Sequence, residues 1–480
     1  MNETAGNGIS PKRFVRNSLL LITIEIVAKG LGIVFFAMVA RFLGAKDLGL
    51  YAFSLAVATL VALPTKFGFE TVIQREVGRD PSNTYPYFWG IILVKTLIAV
   101  TSWGFFLLIL MVFPRGAFAV MAVAAGFALV YSFMEFTNAF FRANHRPEIE
   151  MVVRLVFSLG NLALGALVLY SGWGLTGVIS AQLVSTAVAV SAGALILMQI
   201  STKVRFSWNW QVLRGYVLRG APFAGILLAL FLSNQIGVII LTPFAGKEDV
   251  GYFAAALRLF DPVTLIPAAI MGAFLPMMSG LYIRSLGQFV RTLRFTMKYM
   301  FILALPLVII TGILAQQIVV FLYRESFAPS AQALQILSAV IFFSFWNYTS
   351  ESVLVARNHE RLVLKMTWIT AAINVAANLI LIYKFSYLGA CWAILTTQSI
   401  YSVMLFILQL RRYLSLVKLI QIIARPAFCA AIAALVVFLM RHQYLFLSMA
   451  AGLTVYVGAL LASGAVKRSE LNFIHGNIKN

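Results

Sequence analysis

The sequence predicts an all-α integral membrane protein of about 14 transmembrane helices, arranged as two six-helix lobes plus two C-terminal helices. Three observations predict it. Hydrophobic residues make up 61% of the 480 positions and charged ones only 11%, with a mean hydropathy of +0.92, more apolar surface than a water-soluble fold can hide. Apolar windows long enough to cross a bilayer recur from one end to the other. Finally, the two halves share matching stretches in the same order.

In chain order the windows lie at about 18–40, 48–66, 88–113, 117–139, 150–170, 174–198 and 219–241, then 250–275, 296–318, 331–353, 362–384, 387–409, 424–440 and 443–465. The first follows a short basic head with Lys12, Arg13 and Arg16, and is too long for the apolar region of a signal peptide. It is expected to be a retained helix entering from the cytoplasm. An even number of crossings returns the chain to that side.

The basic residues agree with this reading. Loops on the N-terminal side carry Arg75, Arg79, Arg142, Arg146, Arg205, Arg214, Arg291, Arg294, Arg357, Arg361, Lys418 and Arg425, among others. The opposite loops hold only Arg41, Lys46, Arg115, Lys247, Arg324, Lys384 and Arg441. Lys and Arg collect on the cytoplasmic side, so both termini are expected there. The net charge of +21 then needs no nucleic acid partner.

The repeat is visible at two places. "FLGAKDLGLYAF" at 42–53 matches "PFAGKEDVGYFAAA" at 243–256, with Gly44, Asp47, Gly49 and Ala52 over Gly246, Asp249, Gly251 and Ala254. Further on, Asn144-His145 matches Asn358-His359, Asn161 matches Asn374, and Gly177 matches Gly389. A unit of six helices keeps the same orientation in both copies, so a pseudo-twofold along the membrane normal is expected, with a cleft between the lobes. The expected divisions are a cytoplasmic N-terminus (1–17), an N-lobe (18–200), a cytoplasmic linker (201–218), a C-lobe (219–410), two further helices (411–466) and a cytoplasmic tail (467–480).

Catalytic signatures are missing from the sequence. It has no H-E-x-x-H, no phosphate-cradling Gly-Lys loop and no G-x-S-x-G. Its four His are scattered, and Cys391 and Cys429 lie in apolar windows without metal or disulfide spacing. The expectation is a protein that is not an enzyme and holds no metal or cofactor.

The chemistry instead lies in ionisable groups placed inside windows. Glu25 and Lys29, at i,i+4, interrupt "LITIEIVAKGLGIVFFAMVA", and Arg258 with Asp261, at i,i+3, interrupts "AAALRLFDPVTLIP". Asn234 and Gln235 sit in the seventh window. A charge at mid-membrane costs roughly 2.5–3.5 kcal/mol on insertion scales, so it needs a partner or a purpose. One reading is two self-neutralising ion pairs within helices. The other places Lys29 and Arg258 on a solvated pathway, where an ammonium and a planar guanidinium suit a phosphate group, with Glu25 and Asp261 holding them when it is absent. Lys95 is expected to snorkel, and Glu135, Asn138 and Glu351 to be satisfied groups near the cytoplasmic helix ends.

"RFLGAKDLGLYAF", followed by "FGFETVIQREVGRD", resembles the opening of bacterial polysaccharide flippases of the multidrug/oligosaccharidyl-lipid/polysaccharide (MOP) exporter superfamily, over roughly residues 10–410. The resemblance implies alternating access and movement of an undecaprenyl-diphosphate-linked oligosaccharide from the cytoplasmic to the outer leaflet of the bacterial plasma membrane. It implies driving by membrane potential or by an H+ or Na+ gradient, and partnership with membrane lipids and with the glycan polymerase and glycosyltransferases of the same pathway. Lipid II flippases of the superfamily likewise use cations in the cleft, a role that Arg258 suits. The alternatives are a lipid II flippase, a cation-coupled multidrug antiporter of the same superfamily, a membrane glycan polymerase or ligase, and a scaffold without cargo.

Overall fold

The computed structural model describes residues 11–79, 84–111, 115–200 and 210–465. They form α-helices joined by short turns and 3-10 segments, divided into two compact units that meet in sequence at residues 239 and 240. The first unit holds α1 (Pro11–Lys66), α2 (Phe69–Arg79), α3 (Thr84–Leu110), α4 (Arg115–Ala143), α5 (Pro147–Tyr170), α6 (Gly174–Ile200) and most of α7 (Trp210–Ala245). The second holds α8 (Lys247–Phe260), α9 (Leu265–Arg284), α10 (Leu286–Ile313), α11 (Ala315–Tyr323), α12 (Ser330–Ala356), α13 (Glu360–Leu408), α14 (Leu416–Leu439) and α15 (Leu445–Ala462). Residues 210–218, expected as linker, are helical and open α7.

Among the described residues, eleven helical stretches are long and apolar enough to span a bilayer. The two longest helices far exceed a single crossing. α1 runs 56 residues and α13 runs 49. At 1.5 Å per residue that is about 84 and 73 Å, against roughly 30 Å of hydrocarbon. Each is broken by one non-helical residue, Gly44 (φ 77°, ψ 179°) and Ser386 (φ 51°, ψ −133°), lying between two expected windows. α12 coincides with the window at 331–353 but is too polar to count by composition alone. Ser338, Ser344, Asn347, Thr349 and Ser350 are buried within the protein there, where apolarity matters less than against lipid.

The repeat predicted from sequence reappears as backbone geometry inside each unit. Gly246 (φ 87°, ψ 170°) before α8 adopts the same conformation as Gly44 in α1, a region that is essentially glycine-only. The turn between α4 and α5 has His145 at φ 56° and closes with the Arg146 amide donating to the Phe141 carbonyl at 2.9 Å. The turn between α12 and α13 has Asn358 at φ 57°, and the His359 amide donates to the Leu354 carbonyl at 3.0 Å. His145 is therefore the structural counterpart of Asn358. The Asn-His match in sequence is one residue out of register, because the left-handed position accepts either residue type.

Gly177 and Gly389, matched in the repeat, both lie at close approaches. A Cβ on Gly177 would lie 2.7 Å from Val168 Cγ1, and one on Gly389 would lie 2.1 Å from the Leu381 carbonyl oxygen. Backbone cannot move aside as a side chain can. Gly389→Ala is expected to lower the melting temperature of the detergent-purified protein by the equivalent of about 1–3 kcal/mol or more. Gly280→Ala in α9, where nothing lies within 4 Å, is its control and should cost nothing.

The first unit has an aromatic core. Phe88 in α3 stacks edge-on to Phe140 at 5.4 Å and lies 5.8 Å from Phe136, both in α4. Around them α2 buries Phe69, Val72, Ile73 and Val77. Gly220 and Phe223 of α7 pack on the Phe67–Gly68 turn, which fixes the start of α7 to this unit. In the second unit Phe301 of α10 stacks on Phe342 at 5.2 Å and lies 5.8 Å from Trp346, both in α12.

Candidate functional site

The predicted site residues divide between the two units. Lys29 lies half-buried in the first half of α1, well before the break at Gly44; the Glu25 side chain lies outside the described residues. Asn234 and Gln235 are on α7, and Asn234 is exposed with its Nδ2 donating to the Leu230 carbonyl at 2.9 Å. Part of its amide is thus spent on its own helix. Arg258 and Asp261 belong to the second unit and are brought together at a single feature, a break in a helical run.

That break follows from the local sequence. α8 ends at Phe260, a 3-10 turn spans Asp261–Thr264, and α9 starts at Leu265. Pro262 has no N–H to give to the carbonyl of Arg258, and its ring crowds the same carbonyl, so the α-helix cannot continue. The Thr264 hydroxyl donates to the Asp261 carbonyl at 2.7 Å, which completes the tightened turn. Arg258 is half-buried in the last turn of α8, and Asp261 is exposed on the 3-10 segment. Mid-helix 3-10 turns mark hinges, and interrupted helices are where membrane transporters place their ion and substrate groups.

α8 is held in place at both ends. Its first turn carries Asp249, which accepts a hydrogen bond from the Ser386 hydroxyl at the break in α13. That bond accounts for an otherwise costly serine conformation. Tyr252 one turn on packs against Tyr387 at 5.8 Å and Phe327 at 6.2 Å. Further along, the fully buried Tyr323 at the end of α11 donates from its hydroxyl to the Ala255 carbonyl at 3.3 Å. Burial pushes the Tyr323 hydroxyl above the usual phenol range, and the nearby Arg258 guanidinium opposes that shift. Arg258 therefore sits one turn beyond a buried anchor and just before the 3-10 turn.

Other buried charges are accounted for by partners in their own unit. Lys95 does not snorkel. It is 0% exposed, and its Nζ donates to the Thr65 carbonyl at 2.8 Å, lies 3.5 Å from Glu70 and faces the rings of Phe133 and Phe136 at 5.4 and 5.5 Å. The lysine closes the C-terminal end of the helix before the Phe67–Gly68 turn, where a cation is favoured. Glu150, in the first turn of α5, is buried between Arg142 and Arg154, and Arg154 reaches on to Glu135 at 3.3 Å. Two acids and two cations neutralise one another, which marks this cluster as structural. Glu351 accepts from the Tyr401 hydroxyl at 3.4 Å. Asn138, expected to be satisfied, is wholly buried, and neither amide atom is hydrogen-bonded among the described residues.

Comparison with known proteins places this geometry in a family. Residues 14–282 match the family model described as "Polysaccharide biosynthesis protein". The fold is similar to that of the lipid II flippase MurJ in an inward closed conformation, with a TM-score of 0.73 at 13% identity, covering 92% of this chain and 98% of that one. It is also similar to an inward-facing multidrug resistance MATE family transporter of the MOP superfamily, with a TM-score of 0.65 at 16% identity, over 82% of this chain and 98% of that one. A MOP superfamily transporter from Pyrococcus furiosus matches with a TM-score of 0.59 at 19% identity, over 84% and 95% of the two chains. An uncharacterized membrane protein of Methanocaldococcus jannaschii is 27% identical over 190 residues, 38% of this chain and 35% of that protein, so the match spans about a third of the relative's length. With more than half of its length matched by the family model, the chain belongs to the polysaccharide biosynthesis protein family and has the fold of the MOP transporters.

Proposed function

We propose that the protein is a flippase that carries an undecaprenyl-diphosphate-linked oligosaccharide, a repeat unit of a surface polysaccharide, from the cytoplasmic to the outer leaflet of the plasma membrane by alternating access. The observation that carries this reading is Arg258, a half-buried guanidinium at the 3-10 break between α8 and α9 in a member of a polysaccharide biosynthesis family. Lys29, with Glu25, is the second cation assigned to the diphosphate; Asn234 and Gln235 are assigned to the sugars. Both termini lie in the cytoplasm in this reading. The cycle is driven by the membrane potential, worth roughly 2.3 kcal/mol per charge per 100 mV, or by an H+ or Na+ gradient. Glycosyltransferases supply the lipid-linked unit, and a polymerase consumes it.

Charge sorts cargo in such a fold. The Pyrococcus furiosus transporter is described as having a binding pocket of reversed polarity that suggests a different function. Cations in a membrane helix repel organic cations and attract phosphate, which favours a lipid diphosphate over the cargo of a multidrug antiporter. Deleting the gene and following the lipid-linked glycan tests the proposal. Glycan should accumulate on the cytoplasmic leaflet and surface polysaccharide should vanish, both restored by the intact chain. Normal surface glycan together with new drug sensitivity would favour the antiporter instead.

A further inference from the structure

The second unit has a cleft of about 680 Å3 bordered by α10, α14 and the turn after α15, and nothing in the transport cycle above uses it. Its described lining brings together Arg294 and Lys298 from α10 with Lys418 and Arg425 from α14, and contains no carboxylate. On α10 the two cations are four residues apart, and on α14 Lys418, Gln421 and Arg425 recur at helical spacing, so each helix turns one charged face to the cleft. The Arg294 Nε is buried and donates to nothing among the described residues. A buried N–H of a charged group left without a partner is costly, so the cleft is arranged for an acceptor.

The helices around the cleft are tied together. Tyr456 of α15 donates from its hydroxyl to the Ile302 carbonyl of α10 at 3.0 Å, within a buried apolar cluster that includes Cys429, Ala433 and Leu460. On the flank of α14, Val417, Ile420 and Phe428 are 63%, 57% and 67% exposed. Cations beside a bare apolar helix flank match one kind of molecule, with a phosphate at one end and acyl chains at the other. Basic pockets between membrane helices hold phosphate head groups in this way. The chain's own following segment, 466–480, is a poor counter-charge, since it carries Lys467, Arg468 and Lys479 against a single acid, Glu470.

We propose that this cleft is a binding site for the headgroup phosphate of an anionic membrane phospholipid, seated where α14 and the turn after α15 meet α10, with its acyl chains along α14. The test uses the purified full chain in a zwitterionic bilayer nanodisc, titrated with phosphatidylglycerol while bound lipid is counted by native mass spectrometry and thermal stability is followed. The expected result is retained phosphatidylglycerol and a raised melting temperature, both weakened by salt. The double variant Arg294→Gln/Arg425→Gln should bind the lipid at least tenfold less. Lys418→Gln, an exposed single change that should fold normally, should weaken binding several-fold. Equal stabilisation by zwitterionic lipid, or by inorganic phosphate alone, would overturn the lipid assignment. Binding that is unchanged in Lys418→Gln, or that appears only after residues 466–480 are removed, would overturn it as well.

Discussion

Replacing Arg258 by alanine is expected to leave a protein that reaches the membrane at its normal level but moves lipid-linked glycan roughly 10- to 150-fold more slowly, the equivalent of one lost hydrogen bond to a charged group at about 1.5–3 kcal/mol. The side chain is half-buried at the end of α8, so truncation removes little packing. The anchors of α8, Tyr323 on the Ala255 carbonyl and Ser386 on Asp249, remain in place. Arg258→Lys keeps the charge but loses the planar fork and should fall between wild type and alanine. Lys29→Ala should impair transport in the same direction. The measurement is surface glycan in a deletion strain complemented with each variant, normalised to membrane-inserted protein. Full activity in both alanine variants would remove the diphosphate site from Lys29 and Arg258, leaving the alternative in which these charges only neutralise their neighbours.

A larger effect on stability is expected at Lys95. Lys95→Met retains most of the volume but strips the Thr65 carbonyl and Glu70 of their buried partner. Breaking a buried pair in this way costs roughly 3–5 kcal/mol. The variant should show a melting temperature many degrees lower in detergent, or fail to accumulate. Lys95→Met combined with Glu70→Gln should recover part of that loss, because the orphaned carboxylate is then neutral. An additive pair of effects, with no recovery, would show that Lys95 acts through its packing against Phe133 and Phe136 alone.

Much of this fold is written in local pattern. The window limits anticipated where the 56-residue α1 and the 49-residue α13 break, because Gly44 and Ser386 fall between apolar runs. The match of Gly44 to Gly246 was legible because both positions take a backbone conformation that strongly favours glycine. The Asn-His match was off by one because its left-handed position accepts Asn and His alike. α2 has no counterpart among the apolar windows because it is amphipathic and only 11 residues long. Lys95 was misjudged for a deeper reason. Its partners lie 25 and 30 residues earlier, and only the turn at Phe67–Gly68 brings them within reach. At the candidate site, the charges and Pro262 were evident in the sequence, whereas the anchoring of α8 by Ser386 and Tyr323 depends on elements more than 60 residues away.

The closed pocket around Lys95 also constrains how the chain is made. An ammonium inside a nascent hydrophobic segment resists release into lipid, by roughly 2.5–3.5 kcal/mol when it stands alone. Thr65 and Glu70 are synthesised before it, so the neutralising groups are already waiting when that segment leaves the ribosome. Partitioning from the translocon should therefore occur as a hairpin-like group rather than one helix at a time, and Glu70→Gln should leave the segment that carries Lys95 more readily extracted by alkali.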